Sequence, residues 1–224
     1  MAPFRPDLQD LPAEFPVFPL TGALLLPHGR LPLNIFEPRY LAMTEDALAA
    51  GRMFGMIQPD RSLPEGPTGP GLFRVGCLGR LSSFSESDDG RYLITLNGVI
   101  RFRIVAELEV HRGYRRVRAD FSRFATDLAE EATEAAIDRG SVLTALRGYF
   151  DHRGFNANWD AINAMGDDEL VVSLGMACPF DTAEKQALLE APSPSDRART
   201  LLALLNIDMH APNDETSAQR PRAS

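Results

Sequence analysis

The chain has 224 residues, enough for one large domain or two small ones, and it is 44% hydrophobic and 24% charged, as ordinary soluble proteins are. No apolar run approaches the roughly 20 residues that a membrane-spanning helix needs. Residues 1–10 also lack the apolar core of a secretion signal. We therefore expect a cytoplasmic protein without a membrane partner.

The formal net charge of −8 is divided unevenly along the chain. Residues 1–124 hold 15 Arg against 14 acids, whereas residues 125–224 hold seven Arg and one Lys against 17 acids. Because an acidic half disfavours the phosphate backbone of nucleic acids, no nucleic-acid partner is expected. The two cysteines, Cys77 and Cys178, are predicted to be buried thiols of a cytosolic protein and not a disulfide framework.

The first part of the chain is predicted to be β structure. After a flexible leader at residues 1–10, three apolar runs bounded by Gly and Pro are typical of buried strands joined by tight turns; they cover residues 15–20, 23–26 and 31–36. Their prolines cannot donate to a sheet ladder, which favours broken, edge-like strands around a barrel. Pro38 is well placed to open a helix.

Further strands are predicted between this helix and residue 124. Residues 53–58 form one, and Asp89-Gly90 marks the tip of a hairpin. Residues 101–121 alternate apolar and charged side chains, as half-buried antiparallel strands do, with Arg101 on the face opposite the core. Residues 11–124 are thus predicted to form a small β-barrel-like domain of about six strands and one helix.

The apolar spacing changes to three and four residues from Asp127, which predicts a helical bundle over residues 125–210. Acids open one helix at Asp167, and Asp181 and Glu184 have the spacing of a capping box. The predicted fold class is therefore α+β, a barrel followed by a bundle.

The last helix is predicted to begin at Pro194, after Ser193 as its cap. Its leucines occupy two faces, so the helix is either deeply packed or joins two copies of the chain in a homo-oligomer. Residues 211–224 are polar and predicted to be disordered.

The common catalytic motifs are missing from the sequence. Residues 66–71 are Gly-rich but lack the lysine and following helix of a phosphate-binding loop. No Gly-x-Ser-x-Gly elbow is present, and the four histidines have no ligand spacing with one another or with the cysteines. We therefore expect no catalytic residues, no metal site, no cofactor and no enzyme activity.

Two separated segments together resemble the Lon N-terminal domain family, the substrate-binding module of Lon proteases. The first contains Phe18-Pro19-Leu20, Leu26-Pro27, Leu31-Pro32-Leu33, Ile35-Phe36-Glu37-Pro38-Arg39-Tyr40 and Gly55-Met56-Ile57-Gln58-Pro59. The second contains Ala183-Glu184-Lys185-Gln186-Ala187-Leu188-Leu189-Glu190, followed by a helix rich in Arg and Leu.

This resemblance implies a barrel-like β domain, a helical bundle and a module that recognises protein substrates. It also implies a free-standing bacterial member without ATPase or peptidase parts, acting in protein quality control. The expected partners are unfolded or apolar protein segments, held in a groove between barrel and bundle, and protease machinery.

Candidate peptide-binding residues are Phe36, Arg39, Tyr40 and Asn97. Aromatic anchors and arginine are typical of interface cores. In the structural alternative, Phe36 and Tyr40 fasten the helix to the barrel and Arg39 pairs locally. Two other functions stay open: a small-ligand-binding protein or enzyme that uses the same cleft, and a self-associating structural subunit.

The one basic cluster, Arg112-Gly113-Tyr114-Arg115-Arg116-Val117-Arg118, has two interpretations. It is either a stacking face for single-stranded nucleic acid or an outward strand face whose arginines pair with Glu107, Glu109 and Asp120. The alternation of aromatic and basic residues and the negative net charge favour the second interpretation.

Overall fold

The computed structural model describes residues 6–129 and 137–210 of the chain, so residues 1–5 of the predicted leader and the predicted tail at 211–224 lie outside it. Within the described part, the fold is α+β, as predicted. Six strands form one sheet; they are β1 (Glu14–Pro19), β2 (Arg30–Ile35), β3 (Met53–Ile57), β4 (Val75–Glu86), β5 (Tyr92–His111) and β6 (Tyr114–Asp120).

The strand pairings return on themselves. The sheet order is β2-β5-β4-β3-β1-β6, and β6 pairs with β5 as well, so five strands form a closed ring of pairings, as in a barrel-like sheet. β1 and β3 are parallel and the other pairs are antiparallel. β2 pairs with β5 alone and is an edge strand, which is where Pro32 is tolerated.

One predicted strand is wrong. Residues 23–26 pair with no strand, although Leu24, Leu25 and Leu26 are fully buried. The side chains of this segment pack into the core, but its backbone joins no strand ladder. An apolar run of four residues fits either arrangement, so its sequence could not distinguish them.

Six helices accompany the sheet; they are α1 (Pro38–Ala49), α2 (Arg139–Arg153), α3 (Trp159–Ala164), α4 (Asp167–Ala177), α5 (Thr182–Glu190) and α6 (Pro194–His210). The capping box of Asp181 and Glu184 is present at α5, as predicted. Of the helical period expected from Asp127, residues 130–136 lie outside the described residues; the chain before them is a 3-10 helix at Ser122–Leu128, and α2 begins at Arg139. α3, capped by the Asn158 side chain, was not predicted.

The buried apolar side chains form one continuous cluster that includes residues of both the sheet and the helices, from Leu11 to Leu205. Leu201 and Leu205 of α6 are fully buried within the chain, and Leu204 nearly so. Intrachain packing thus accounts for these leucines of the last helix. Among residues 194–208 of α6, whose side chains the structure describes, Ile207 is the large apolar one that is exposed.

Candidate functional site

A cleft of about 710 Å³ lies between the sheet and the helices. Residues 27–32 form one wall, where the chain enters β2, and Val171, Val172 and Met176 of α4 form the opposite one. Arg101 of β5, Asp127 and Arg197 of α6 also line it. The cleft therefore combines apolar walls with buried charges.

The sheet has a gap beside the middle of β5, because the pairing with β2 ends before the pairing with β6 begins. β2 pairs with β5 up to Asn97, and β6 pairs from Arg103 onward, on the same side of β5. The backbone of β5 between them needs other partners. Gly98 N–H donates to the Gly29 carbonyl at 2.8 Å, and Arg101 N–H donates to the Asp127 carboxylate at 3.0 Å.

Two glycines let the walls approach each other. A Cβ on Gly98 would overlap the backbone carbonyl oxygen of Leu26, and a Cβ on Gly29 would overlap the sulfur of Met176 and press on Val172. The segment before β2 is thus clamped between β5 and α4. These contacts fix the width of the cleft.

Arg101 is the central buried charge. Its Nε and Nη2 donate to both carboxylate oxygens of Asp127 at 2.8 and 2.7 Å, and its Nη1 donates to the carbonyls of Ala191 and Leu189 at 2.6 and 3.1 Å. The guanidinium also lies 4.7 Å from the ring centroid of Phe124. All three guanidinium nitrogens of Arg101 therefore donate hydrogen bonds.

The expectation that Arg101 lies on a solvent-facing side of a half-buried strand is therefore wrong, since it is only 3% exposed. The residue does alternate with Phe102, as the pattern indicated. Residues 122–128 and the link from α5 to α6 cover its face of the strand. These covering residues are distant in sequence from Arg101, so the local sequence gives no sign of its burial.

Arg197 is a second buried arginine beside the first, at 5% exposure. Its Nε donates to the Leu188 carbonyl at 3.1 Å, and its Nη2 is buried without a hydrogen-bond partner among the described residues. Burial first and the positive charge of Arg101 second lower the pKa of Arg197 to about 10, against the opposing charge of Asp127.

The two family-like segments meet at a separate polar contact between sheet and helices. Gln186 of α5 donates through Nε2 to the Val75 carbonyl at 3.0 Å, and Gln58, after β3, donates to Gln186 Oε1 at 3.3 Å. The buried Lys185 donates to the Gly22 carbonyl at 2.6 Å, and burial lowers its pKa. These residues hold the helices on the sheet.

Three of the four predicted site residues lie together at the start of α1. Phe36 is 60% exposed, with the guanidinium of Arg91 5.7 Å from its ring centroid. Tyr40 is buried, its ring centroid 4.2 Å from that of Phe18, and burial raises its pKa. Arg39 pairs with Glu37 at 2.8 Å and also lies over the Tyr40 ring at 4.6 Å.

Asn97, the fourth predicted residue, lies elsewhere. It opposes Arg30 at one end of β2, whereas Ile35, next to Phe36, opposes Tyr92 five residues away; that separation is roughly 17 Å along a strand. Asn97 is exposed and accepts a hydrogen bond from Ser82 Oγ at 3.1 Å. None of the four predicted residues lines the cleft.

Sequence reasoning missed Arg101, Asp127 and Arg197, the three buried charges of the cleft. A weak signal existed at Arg101, which stands between Ile100 and Phe102, both fully buried. Asp127 and Arg197 carried no comparable signal, since charged residues at helix ends are ordinary.

The basic cluster at residues 112–118 is paired with acids. Arg115 bonds Glu107 at 2.6 Å, as the structural interpretation predicted. The other partners differ from the prediction: Arg118 pairs with Glu14 of β1 at 2.7 Å, and Arg112 with two acids of α1. One of these acids, Asp46, also accepts from Tyr114, whose pKa is raised to about 12, first by burial.

Two further properties hold within residues 6–129 and 137–210. No three or more His, Cys, Asp or Glu side chains come together in a way that would hold a metal ion. None of the helices there combines the length and the apolar character that crossing a bilayer requires.

Comparison with known proteins decides the family. The family described as the substrate-binding domain of ATP-dependent protease La (LON) matches residues 14–207. The chain belongs to the Lon substrate-binding domain family. The matched range includes both segments on which the resemblance was based, and also the whole described cleft.

Relatives in the same family are much longer proteins. Lon protease 2 of Myxococcus xanthus and the Lon protease of Anaeromyxobacter dehalogenans are each 26% identical over 213 residues, which cover 88% of this chain and 24% of each relative. The chain thus spans about a quarter of the length of these proteins. The match lies in the substrate-binding domain, not in the protease or ATPase part.

Solved structures share the fold. A Lon N-terminal domain protein from Xanthomonas campestris superposes with a TM-score of 0.56 at 23% identity, covering 85% of this chain and 97% of that one. The N-terminal domain of a Mycobacterium avium complex Lon protease gives 0.55 at 18% identity, covering 86% and 98%.

Proposed function

We propose that this Lon-type domain binds segments of other proteins in the cleft between sheet and helices, without catalysis of its own. The supporting observation is the cleft itself, about 710 Å³ with apolar walls from residues 27–32 and α4. Burial of apolar side chains from the bound segment would supply the main driving force. The adjacent edge strand β2 offers backbone groups for strand addition.

The test compares binding of one fluorescently labelled polypeptide in an unfolded and a folded state. An Ala177→Trp variant places a large side chain at an exposed cleft position on α4. Ala164→Trp is the matched control, because Ala164 is exposed on α3 and does not line the cleft. We expect anisotropy to show preference for the unfolded state and at least about tenfold weaker binding in Ala177→Trp alone, one tenfold step being ~1.4 kcal/mol.

Equal binding of folded and unfolded polypeptides would contradict the proposal. So would equal affinities of the two tryptophan variants, since the segment would then bind outside the cleft. Phe36, Arg39 and Tyr40 form a second candidate contact surface, in which Phe36 and Arg39 are exposed and Tyr40 is buried. Phe36→Ser is the informative change because Phe36 is the exposed apolar member.

A small-molecule ligand is the alternative occupant, because the cleft volume lies within the about 300–1,000 Å³ typical of such sites. A thermal-shift screen distinguishes the two, since a ligand at about 100 times its Kd adds ~2.7 kcal/mol of stability. We also propose protease machinery as a partner and, because Cys77 and Cys178 are free buried thiols, a reducing compartment such as the cytoplasm.

A further inference from the structure

The buried charges of the cleft do not balance within the part of the chain that the structure describes. Arg101 and Arg197 are both at least nine-tenths buried, and the buried Asp127 carboxylate, which pairs with Arg101, also acts electrostatically on Arg197. Both oxygens of Asp127 are taken by Arg101. A positive charge removed from water without a partner is costly, so a second anion would stabilise this arrangement.

Arg197 still has an N–H group that could donate a hydrogen bond. Its Nε bonds the Leu188 carbonyl, which fixes the guanidinium plane, and its Nη2 has no described acceptor. A buried donor of this kind is rare unless it has a role. The residue also lies in the first turn of α6, where the helix dipole favours an anion and disfavours a cation.

The other acids that line the cleft do not accept a hydrogen bond from Arg197 Nη2. Asp168 and Glu169 of α4 also line the cleft, and the charge of Asp168 acts on Arg197. Neither accepts a hydrogen bond from Arg197, and Glu169 is exposed. His28 and Arg30 line the cleft as well, so what distinguishes Arg197 is its burial together with an Nη2 that has no acceptor among the described residues.

We infer that Arg197 and the buried end of the cleft recognise a carboxylate carried by an apolar polypeptide segment. The inference rests on the proposed function and deepens it, since it specifies which segments bind. Guanidinium and carboxylate match in charge and geometry, and the apolar walls take the neighbouring side chains. A carboxylate at a chain end and one on an Asp or Glu side chain share this chemistry.

The experiment measures binding of three fluorescent hexapeptides of Leu, Val and Ala to the full chain. One ends in a free carboxylate, the second is its C-terminal amide, and the third is an amide with one internal Asp. We expect the first or the third to bind at least ~10-fold more tightly than the second, as a charge-assisted hydrogen bond provides. Whichever of the two binds identifies the source of the carboxylate.

Arg197→Gln should remove that preference, so that the carboxylate and amide peptides bind this variant with equal affinity. Arg199→Gln is the matched control, because it removes the same charge from α6 at a side chain that is 77% exposed. The comparison of the three peptides on the unaltered chain needs no variant, so the inference remains testable if Arg197→Gln does not fold.

Equal binding of all three peptides would overturn the inference and leave the proposed function standing. Failure of every peptide and of unfolded polypeptide to bind would overturn both. Glu130, Glu131 and Glu134 lie outside the described residues. If the preference for carboxylate peptides appeared only after these three residues were replaced by Gln, the partner of Arg197 would be an acid of the chain itself. That result would overturn the inference too.

Discussion

The Asp127 carboxylate accepts three hydrogen bonds from Arg101, one of them from the backbone N–H. It occupies the place that a strand partner would take, in the gap between β2 and β6. The side chain thus completes the sheet and neutralises a buried guanidinium at once. Without this carboxylate, the Arg101 backbone N–H would lack its acceptor and the buried guanidinium would lack its counter-charge.

We expect Asp127→Asn to destabilise the protein by about 3–5 kcal/mol, because breaking a buried ion pair leaves an uncompensated charge. Urea unfolding measures the loss. Glu37→Gln is the control, since it removes a carboxylate from the exposed Arg39 pair, worth at most ~1 kcal/mol. A loss below that value in Asp127→Asn would show that Arg101 is stabilised by its carbonyl partners alone.

The two thiols predict a pH dependence. Burial raises the pKa of Cys178 to about 12 and raises that of Cys77 as well, from an ordinary value of 9.0. Above pH 9 the unfolded chain loses these protons and the folded chain keeps them, so stability is full below pH 9 and falls as pH rises. Each thiol contributes a slope of up to ~1.4 kcal/mol per pH unit.

Urea unfolding of the unaltered chain and of Cys178→Ala between pH 8 and 10.5 checks this expectation. The variant should lose less stability over that range, whatever its stability at pH 8. Parallel curves would mean that Cys178 ionises equally in the folded and unfolded chain. Lys185 acts in the opposite direction, because its lowered pKa favours the folded state as pH rises.

At the scale of the elements, the segment at residues 26–29 is held by two close contacts and not by a ladder. Gly98 of β5 and Gly29 permit the approach, and hydrogen bonds join His28 and Gly29 to Gly98. The position of this segment determines where β2 begins. It therefore also determines one wall of the cleft.

Gly98→Ala should destabilise the protein by about 1–3 kcal/mol, because the new Cβ meets a backbone oxygen that cannot move without displacing the segment. Gly140→Ala is the control: the Cβ there meets only ordinary contact in α2, and helix propensity should add up to ~1 kcal/mol. Thermal unfolding compares them. Equal stability of the two variants would show that residues 26–29 can shift freely.

The predictable elements are those whose signal is local. The strand alternation of residues 101–121 and the capping box at Asp181 lie within a few residues of the structure they produce, and both were found. The burial of Arg101 depends on residues more than 20 positions away, and the contact of Gln58 with Gln186 spans 128 positions. A single sequence shows both residues of such a contact, but it does not show that they lie close together in the fold.

The candidate sites also differ in whether their residues are close together in the sequence. Phe36, Arg39 and Tyr40 are neighbours in the chain, and the structure keeps them together at the start of α1. The cleft draws its lining from β5, α4, α6 and the entry to β2, which no local pattern connects. A binding site built where strands leave a sheet is therefore visible only after folding.

At the scale of the whole molecule, sheet and helices share one apolar core, and the Gln58, Gln186 and Lys185 contacts join them further. The sequence predicted a boundary between barrel and bundle near residue 125. A shared core implies that neither part buries its apolar face without the other. We therefore expect the two parts to unfold together.

The single tryptophan, Trp159 in α3, reports on the helices, whereas far-UV circular dichroism reports on the sheet as well. Urea unfolding followed by both signals should give coincident transitions, and Gln186→Ala should move both midpoints equally, since it removes the bond to Val75 of β4. Glu86→Ala, at the exposed end of the same strand, is the control. A tryptophan transition at lower urea than the other signal would show that the helices unfold first, as an independent bundle would.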